Sequence, residues 1–544
     1  MRVAEALGRA ISQLGVTESF GLVGSGNFHL VNGMRGAGVR FIAARHETGA
    51  VTMADAYARA SGRLGVATVH QGPGVTNALT GLTEAAKSRT PLLLLAAEAT
   101  APLSNFFIDE ERFATAAGAV HRRVTAPATA VAELADAARI AVIQGRTVLV
   151  SLPLEVQAGA CDAPEGVAPP VHPPGAAAPA RDVEALARML AEARTPVILA
   201  GRGAALAEAR EPLEQLADRT GALLATSAVA NGLFAGNEWD LGISGGFATP
   251  LAAELITASD LVVAFGASLN MWTTRRGHLI AKDARVVQVD SDPSALGAYH
   301  RIDLGLEGDC AATALAVIEE LGPHAATGWR SPELGARISE SGWSRQPFDD
   351  LSGDGHIDPR SLTIALDELL PHERTLAVDS GHFMGWAPMY MRVPDGRSFV
   401  FTQAFMSIGL GLATGLGAAV ARPDRLTVIA LGDGGALMSL PELETLGRIG
   451  VDALVVIYND ASYSAEVHHF APEGAPMDAV QFPDTDFAAL ARAVGLEAII
   501  VRGLSDLAGV QDWMERGRPR PLVLDAKVVP TLVAEWLEEA FRGH

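Results

Sequence analysis

Two aspartates stand at the ends of two successive apolar runs. Leu426–Leu431 leads into Gly432-Asp433-Gly434-Gly435, and Leu454–Tyr458 leads into Asn459-Asp460. Consecutive parallel strands joined by a right-handed helical crossover commonly lie side by side. Asp433 and Asp460 then meet at the carboxyl edge of a sheet, where open α/β sheets bind ligands. Two carboxylates and a backbone carbonyl suit an octahedral Mg²⁺ that keeps ligand phosphates in its shell. The glycines after Asp433 let backbone N–H groups approach those phosphates at a helix start. Each part alone is also found in ordinary Gly-rich turns. The full set predicts a metal and phosphate site.

The elements that must hold such a site recur along the chain. Arg40–Ala44, Leu64–Val69 and Pro91–Ala97 read as strands, with helical stretches at Thr48–Ala60 and Val75–Ser88 between them. Pro196–Ala200, Leu261–Phe265 and Arg285–Val289 read as strands of a second block. An Ala/Pro/Gly-rich stretch over 158–181 reads as a linker, and a polar, irregular stretch over 325–357 precedes the third block. This alternation predicts an α/β fold of three doubly wound parallel-sheet domains, at 1–165, 182–325 and 356–544.

Composition narrows the class. The 544 residues are 49% hydrophobic and 19% charged, which suits packed domains rather than long disorder. Lys and Arg number 42 against 63 Asp and Glu, a net charge of −21. So acidic a surface disfavours nucleic-acid phosphates and anionic membranes. No apolar run reaches the roughly 20 residues of a membrane helix. Cys161 and Cys310 are too few for a disulfide framework or a Cys-only metal site. The N-terminal residues read as an amphipathic helix start rather than a signal peptide, so a cytoplasmic protein is expected. A nicotinamide dehydrogenase is set aside, because no G-x-G-x-x-G follows a strand with an acid about 20 residues on.

The spacing at the aspartates also carries a resemblance. Gly432-Asp433-Gly434, 24 intervening residues and Asn459-Asp460 resemble the thiamine diphosphate (ThDP) motif, in which GDG and a paired Asn-Asn bracket such a helix. The stretch Met438–Thr445 is similar to the corresponding stretch of acetolactate synthases. The chain departs from the motif at Asp460, where the family usually has Asn; an Asp still binds Mg²⁺ and adds a negative charge. The resemblance implies that Asp433, Asp460 and the Ser462 carbonyl hold Mg²⁺, and that Gly432, Gly434, Gly435 and Tyr463 join in binding the cofactor.

The resemblance extends over nearly the whole chain, with pyrimidine-binding, central and diphosphate-binding domains in that order. Arg45-His46-Glu47 with Ala54-Asp55-Ala56-Tyr57-Ala58-Arg59 resembles the family's RHE…ADGYAR segment. It makes Glu47 the glutamate that bonds N1′ of the aminopyrimidine, favouring the imino form that takes the thiazolium C2 proton. Ala404–Gly411 resembles the segment that grips the pyrimidine, with Ile408 as the bulky apolar residue bending the cofactor and the backbone of Met406 and Ile408 bonding the ring. Asp379–Phe383 matches a second diphosphate loop and brings in His382. In acetolactate synthases the central domain helps bind FAD; here the match is partial and does not favour it.

Five residues are expected to choose the substrate. Ser25 and His70 match a substrate-contacting serine and a catalytic histidine of benzoylformate-decarboxylase-like enzymes. Glu466 matches the active-site glutamate of pyruvate decarboxylases. Glu98 stands where acetolactate synthases carry Gln, and an ionised Glu98 would repel a second 2-oxo acid. Leu154 stands where they carry a lysine. The resemblance therefore implies a ThDP- and Mg²⁺-dependent enzyme that decarboxylates a 2-oxo acid and joins the retained acyl unit to a second carbonyl, as acyloin or acetolactate. A non-ligating decarboxylase that releases an aldehyde is the alternative. It also implies a homodimer or homotetramer with sites between subunits.

Overall fold

A computed structural model describes residues 1–323 and 328–537. The expected boundary at residue 325 and the last seven residues of the expected C-terminal domain lie outside the described residues. Among the described residues there are three six-stranded sheets, and the strands within each pair in parallel.

The first sheet holds β1 (Glu18–Gly21), β2 (Arg40–Ala43), β3 (Gly65–Val69), β4 (Leu92–Glu98), β5 (Val120–Arg123) and β6 (Thr147–Pro153), in the order β2-β1-β3-β4-β6-β5. The second holds β7 (Pro196–Ala200), β8 (Leu223–Thr226), β9 (Asp240–Ile243), β10 (Leu261–Phe265), β11 (Arg285–Asp290) and β12 (Leu304–Glu307), ordered β12-β11-β10-β7-β8-β9. The third holds β13 (Arg374–Val378), β14 (Phe399–Phe401), β15 (Leu426–Gly432), β16 (Ala453–Asn459), β17 (Glu497–Val501) and β18 (Leu522–Lys527), ordered β14-β13-β15-β16-β18-β17. The winding changes direction between β1 and β3 in the first sheet, between β10 and β7 in the second and between β13 and β15 in the third. The fully buried strands β7, β10 and β16 are near-continuous apolar runs, as parallel strands covered on both faces tend to be.

One core joins the first and third sheets. The helix Glu47–Ser61 packs along the helix Gly411–Ala421, and a single buried cluster runs from Phe20 and Met53 to Leu416, Ile429 and Val455. The approach is backbone-close: a Cβ on Gly417 would lie 2.1 Å from the Met53 carbonyl oxygen. The N-terminal and C-terminal domains are therefore built against each other within one chain.

Three elements differ from the expected ones. The helix expected over Val75–Ser88 divides into Pro73–Asn77 and Leu79–Lys87, and the Asn77 carbonyl at the break takes a hydrogen bond from the Thr48 hydroxyl. The helix that starts at Pro441 and stops by Gly450 is present as Glu442–Ile449, but a further short helix, Asp433–Met438, precedes it. The irregular stretch before the third block contains a helix, Pro332–Ser339, started by Pro332 and by Ser331, whose hydroxyl accepts the Leu334 N–H.

Candidate active site

β15 and β16 are neighbours, with Gly432 opposite Tyr458, so the two aspartates follow adjacent strand ends. Asp433 opens the helix Asp433–Met438 and is buried. Burial, and then the charge of Asp460, push its carboxyl up to about 7. Asp460 takes hydrogen bonds from the Ser462 hydroxyl (3.2 Å) and the Ser464 hydroxyl (2.5 Å). Two neighbouring buried carboxylates are costly to ionise together, and a bound cation would offset that cost. All the donors are hard oxygens, so the set fits Mg²⁺. Among the described residues no cluster of three or more His, Cys, Asp or Glu could hold a metal. A site of two carboxylates, completed by a carbonyl and ligand phosphates, is consistent with that.

The Asn459-Asp460 pair divides its labour. The Asn459 amide donates inward, to Asp525 (2.9 Å), Asp484 (3.3 Å) and the Thr485 carbonyl (3.1 Å). Lys527 anchors the same group, bonding Asp484, Asp525 and the Thr485 carbonyl. Asn459 thus ties down the end of β16, and Asp460 is left to the site.

The glycines allow close approach. A Cβ on Gly435 would lie 2.3 Å from Asp379 Oδ2, and one on Gly434 would lie 2.5 Å from the Tyr463 ring. Asp379, buried after β13, accepts the N–H groups of Gly409 (2.9 Å) and Leu410 (3.2 Å), locking their loop beside the Asp433 helix. His382 is also buried. Its Nε2 accepts the Ala534 N–H at 2.9 Å, which leaves the ring proton on Nδ1 as a donor. Burial, and then the neighbouring His468, push its pKa down to about 3, so the ring is neutral. Met406 lies at φ 61° in a turn whose side chains are half exposed, with Ile408 two residues on.

The other predicted residues lie on the N-terminal domain. Glu47 opens its helix and is 7% exposed; Asn77 Nδ2 donates to its Oε2 at 3.1 Å. The preceding backbone is held from the C-terminal domain, because Glu442 Oε1 accepts the N–H groups of Arg45 and His46, both at 3.0 Å. His70 follows β3. Its Nδ1 accepts the Gly26 N–H (3.3 Å), and the Phe106 ring meets it edge-on at 5.3 Å. Burial lowers its pKa, against the opposing pull of Glu47. Ser25 stands exposed on a loop braced by Asn27, which accepts the Gly24 N–H and donates to the Leu22 carbonyl.

Glu98 ends β4 and is not an unpaired charge: Arg123 Nε, from the end of β5, bonds it at 2.7 Å. The repulsion expected of Glu98 is thus offset by a guanidinium from two strands away. Glu466 is exposed on the helix Ser464–Phe470.

The predicted residues therefore form two groups. Asp433, Asp460, Ser462, Tyr463, His382, Met406, Ile408 and Glu466 belong to the C-terminal domain; Ser25, Glu47, His70 and Glu98 belong to the N-terminal one. Among the described residues no hydrogen bond or ion pair joins the groups directly. The contacts between the domains run instead through other side chains, among them Glu442, just described, Glu444, which pairs with Arg45 at 2.6 Å, and Glu84, which accepts the N–H groups of Ala404 (3.2 Å) and Phe405 (2.7 Å).

The carboxyl edge of the central sheet is occupied by a domain contact. Arg202, after β7, bonds the carbonyls of Ser88 and Arg89, and Arg89 pairs with Asp292, after β11, at 2.8 Å. No helix of the described residues is long and apolar enough to cross a membrane.

Comparison with known proteins agrees with this architecture in all three domains. Residues 1–121 match the N-terminal TPP binding domain of thiamine pyrophosphate enzymes, residues 183–318 their central domain and residues 379–526 their C-terminal TPP binding domain. A sulfoacetaldehyde acetyltransferase of Castellaniella defragrans is 29% identical, over 93% of this chain and 89% of the relative. The acetolactate synthase large subunit of Parasynechococcus marenigrum is 28% identical, over 91% and 82%. A protein of Pseudomonas aeruginosa named as a probable 2-ketoarginine decarboxylase is 30% identical, over 91% and 88%. The chain therefore belongs to the thiamine diphosphate-dependent enzymes, within the acetolactate synthase-like superfamily.

Proposed function

We propose that this enzyme is a Mg²⁺-dependent carboligase. It decarboxylates a 2-oxo acid and transfers the retained acyl unit to a second carbonyl, in the cytoplasm and as a homodimer or larger homo-oligomer. When bound, thiamine diphosphate would supply a carbon nucleophile for the 2-oxo carbonyl and a sink for the electron pair that decarboxylation releases. Asp433, Asp460 and the Ser462 carbonyl would hold Mg²⁺, and the backbone of Gly434 and Gly435 with the Nδ1–H of His382 would donate hydrogen bonds to the diphosphate. The backbone of Met406 and Ile408 holds the aminopyrimidine.

Glu47 then completes the site. Asn77 occupies its Oε2, which leaves Oε1 for the pyrimidine nitrogen. As the resemblance implies, Glu47 serves the C-terminal domain of a second copy. Exposed apolar side chains flank both groups: Val23, Phe106 and Phe107 on one side, Phe405, Met406 and Met438 on the other. Such patches mark a surface meant to be covered.

The observation that carries carboligation is the Glu98–Arg123 pair. Beyond His70 the carboxyl edge of the first sheet continues to a half-exposed polar anchor, which offers a second substrate a place to dock. His70, neutral with its proton on Nε2, is placed to hydrogen-bond an acceptor oxygen as it gains charge. The names of two relatives, an acetyltransferase and a synthase, also support acyl transfer. The decarboxylase reading rests on Glu466, a carboxyl group able to deliver a proton instead, and on the third relative's name.

Purified protein with ThDP, Mg²⁺ and ¹³C-labelled pyruvate, followed by NMR with and without an aldehyde panel that includes sulfoacetaldehyde, tests the choice. Labelled acetolactate, an acyloin or a transferred acetyl group establishes ligation. Labelled acetaldehyde as sole product, whatever acceptor is present, establishes the decarboxylase.

A further inference from the structure

We infer that Glu84 is a positioning residue for the cofactor-gripping turn, holding residues 404–408 in binding shape from the opposite domain of the same chain. The inference rests on the reading that Met406 and Ile408 bond the aminopyrimidine.

Glu84 lies on the helix Leu79–Lys87 and is 1% exposed. Oε2 accepts the Phe405 N–H at 2.7 Å; Oε1 accepts the Ala404 N–H at 3.2 Å. Oε1 also takes Arg59 Nη2 at 2.9 Å and the Ser88 hydroxyl at 3.2 Å. Arg59 in turn donates to the Phe401 carbonyl, the last residue of β14 (3.0 Å). One buried carboxylate and its guanidinium thus fix the chain from the end of β14 through Phe405.

The far end of the turn is fixed in the same way. Asp379 accepts the N–H groups of Gly409 and Leu410. The segment is therefore pinned at both ends by buried carboxylates, one from each domain, and the free stretch between them is Met406-Ser407-Ile408. Met406 there takes a left-handed conformation, φ 61°, which a side-chain-bearing residue holds only when its surroundings impose it.

A bland reading makes Glu84 a counter-ion for buried Arg59. Asp55 already fills that role, at 2.6 Å from Arg59 Nη2. A counter-ion also has no need to spend both oxygens on two consecutive peptide N–H groups. Charge-assisted bonds of that kind are short and directional, which suits them to setting a backbone. The Phe405 ring is 44% exposed while its N–H is drawn inward to Glu84, so side-chain burial does not explain the conformation.

The test joins amide hydrogen exchange with cofactor titration. In the cofactor-free wild-type protein, the Ala404 and Phe405 amides should exchange as slowly as those of β14, and ThDP with Mg²⁺ should slow exchange at 406–408. In E84Q one acceptor oxygen is replaced by an NH₂ group. Calorimetry should then show the ThDP Kd raised about tenfold, with faster exchange at 404–405. At saturating ThDP, kcat should stay within a few-fold of wild type. Coil-like exchange at 404–405 in the wild type, or an unchanged Kd in E84Q, overturns the inference. If ThDP slows no amide between 404 and 410 in the wild type, the reading beneath it fails as well. Should E84Q not fold, the wild-type exchange decides.

Discussion

Glu442 Oε1 occupies the space that a Cβ on Gly49 would need: the two would be 2.5 Å apart. Gly49 is the third residue of the Glu47 helix, and the same oxygen receives the N–H groups of Arg45 and His46. The absence of a side chain at 49 is what lets a carboxylate of the C-terminal domain reach the backbone that carries Glu47. Gly49→Ala should therefore lower kcat by roughly 10- to 100-fold, the scale expected when a catalytic group is misplaced by about an ångström. Intrinsic helix propensity changes the opposite way, since Ala favours a helix over Gly by about 1 kcal/mol. A folded G49A protein by circular dichroism, with full turnover at saturating ThDP, would refute this.

The placement of Asp433 and Asp460 at neighbouring strand ends is legible in the sequence because it is local, whereas Glu47 by itself reads as an ordinary first-turn helix acid and only the resemblance singles it out. Each aspartate follows an apolar strand. The helix between the two aspartates is short, so strand adjacency follows from the crossover rule alone. Glu84 and Glu442 are not legible, because the N–H groups they accept lie 320 and 397 residues away. Thr83-Glu84-Ala85-Ala86-Lys87 reads as the solvated face of a helix, and only the packing of one domain on another reveals it as interior. Arg123 escapes for a similar reason. It belongs to the edge strand β5 and reaches Glu98 across β6, an order that the sequence does not display.

Asp460 departs from the asparagine usual at its position, and the departure should register in metal affinity. A second full charge in a two-carboxylate site strengthens a hard cation, because affinity follows the charge count of the ligands. Asp460→Asn should weaken Mg²⁺ binding in the presence of ThDP by about tenfold. The Ser462 and Ser464 hydroxyls would keep the asparagine oxygen in place. Calorimetric titration of Mg²⁺ into the ThDP-supplemented protein reads this directly, and an equal or tighter Kd in D460N would contradict it.

Glu110 should make stability fall with rising pH. It is buried and takes the Ser151 hydroxyl at 2.5 Å, and the Ser151 oxygen also meets His121 Nε2 at 2.9 Å. Burial raises its carboxyl to about 8; the Ser151 bond and Arg123 oppose the rise, and Glu98 adds to it. The folded chain therefore binds a proton that the unfolded chain releases near 4.5. Between those values the folded state holds more protons, so stability is full below about 4.5 and is lost as pH rises to about 8. Glu110→Gln keeps a hydrogen-bonding group without the titration. Urea midpoints for E110Q should vary less between pH 5 and pH 8.5 than those of the wild type, and the variant should be the more stable at pH 8.5. Parallel curves would remove Glu110 as the cause.

Asn77 offers the cleanest separation of binding from chemistry. Its amide donates to Glu47 Oε2, and its carbonyl is tied to the Thr48 hydroxyl, so it is fixed to the helix it serves. It touches none of the residues proposed to hold the diphosphate or the metal, all of which lie on the C-terminal domain. Asn77→Ala should leave Glu47 buried with one oxygen unsatisfied and free to rotate. A hydrogen bond of about 1.4 kcal/mol lost from the working orientation is about tenfold in rate. Asn77→Asp should cost more, since it sets a second carboxylate against the first and like charges at that distance are driven apart. The ThDP Kd should stay within about threefold of wild type in N77A, because most of the binding contacts are elsewhere. A parallel loss of affinity and rate would make Asn77 part of the binding surface rather than the orienting group for Glu47. An unchanged kcat in N77A would mean that Glu47 needs no such orientation.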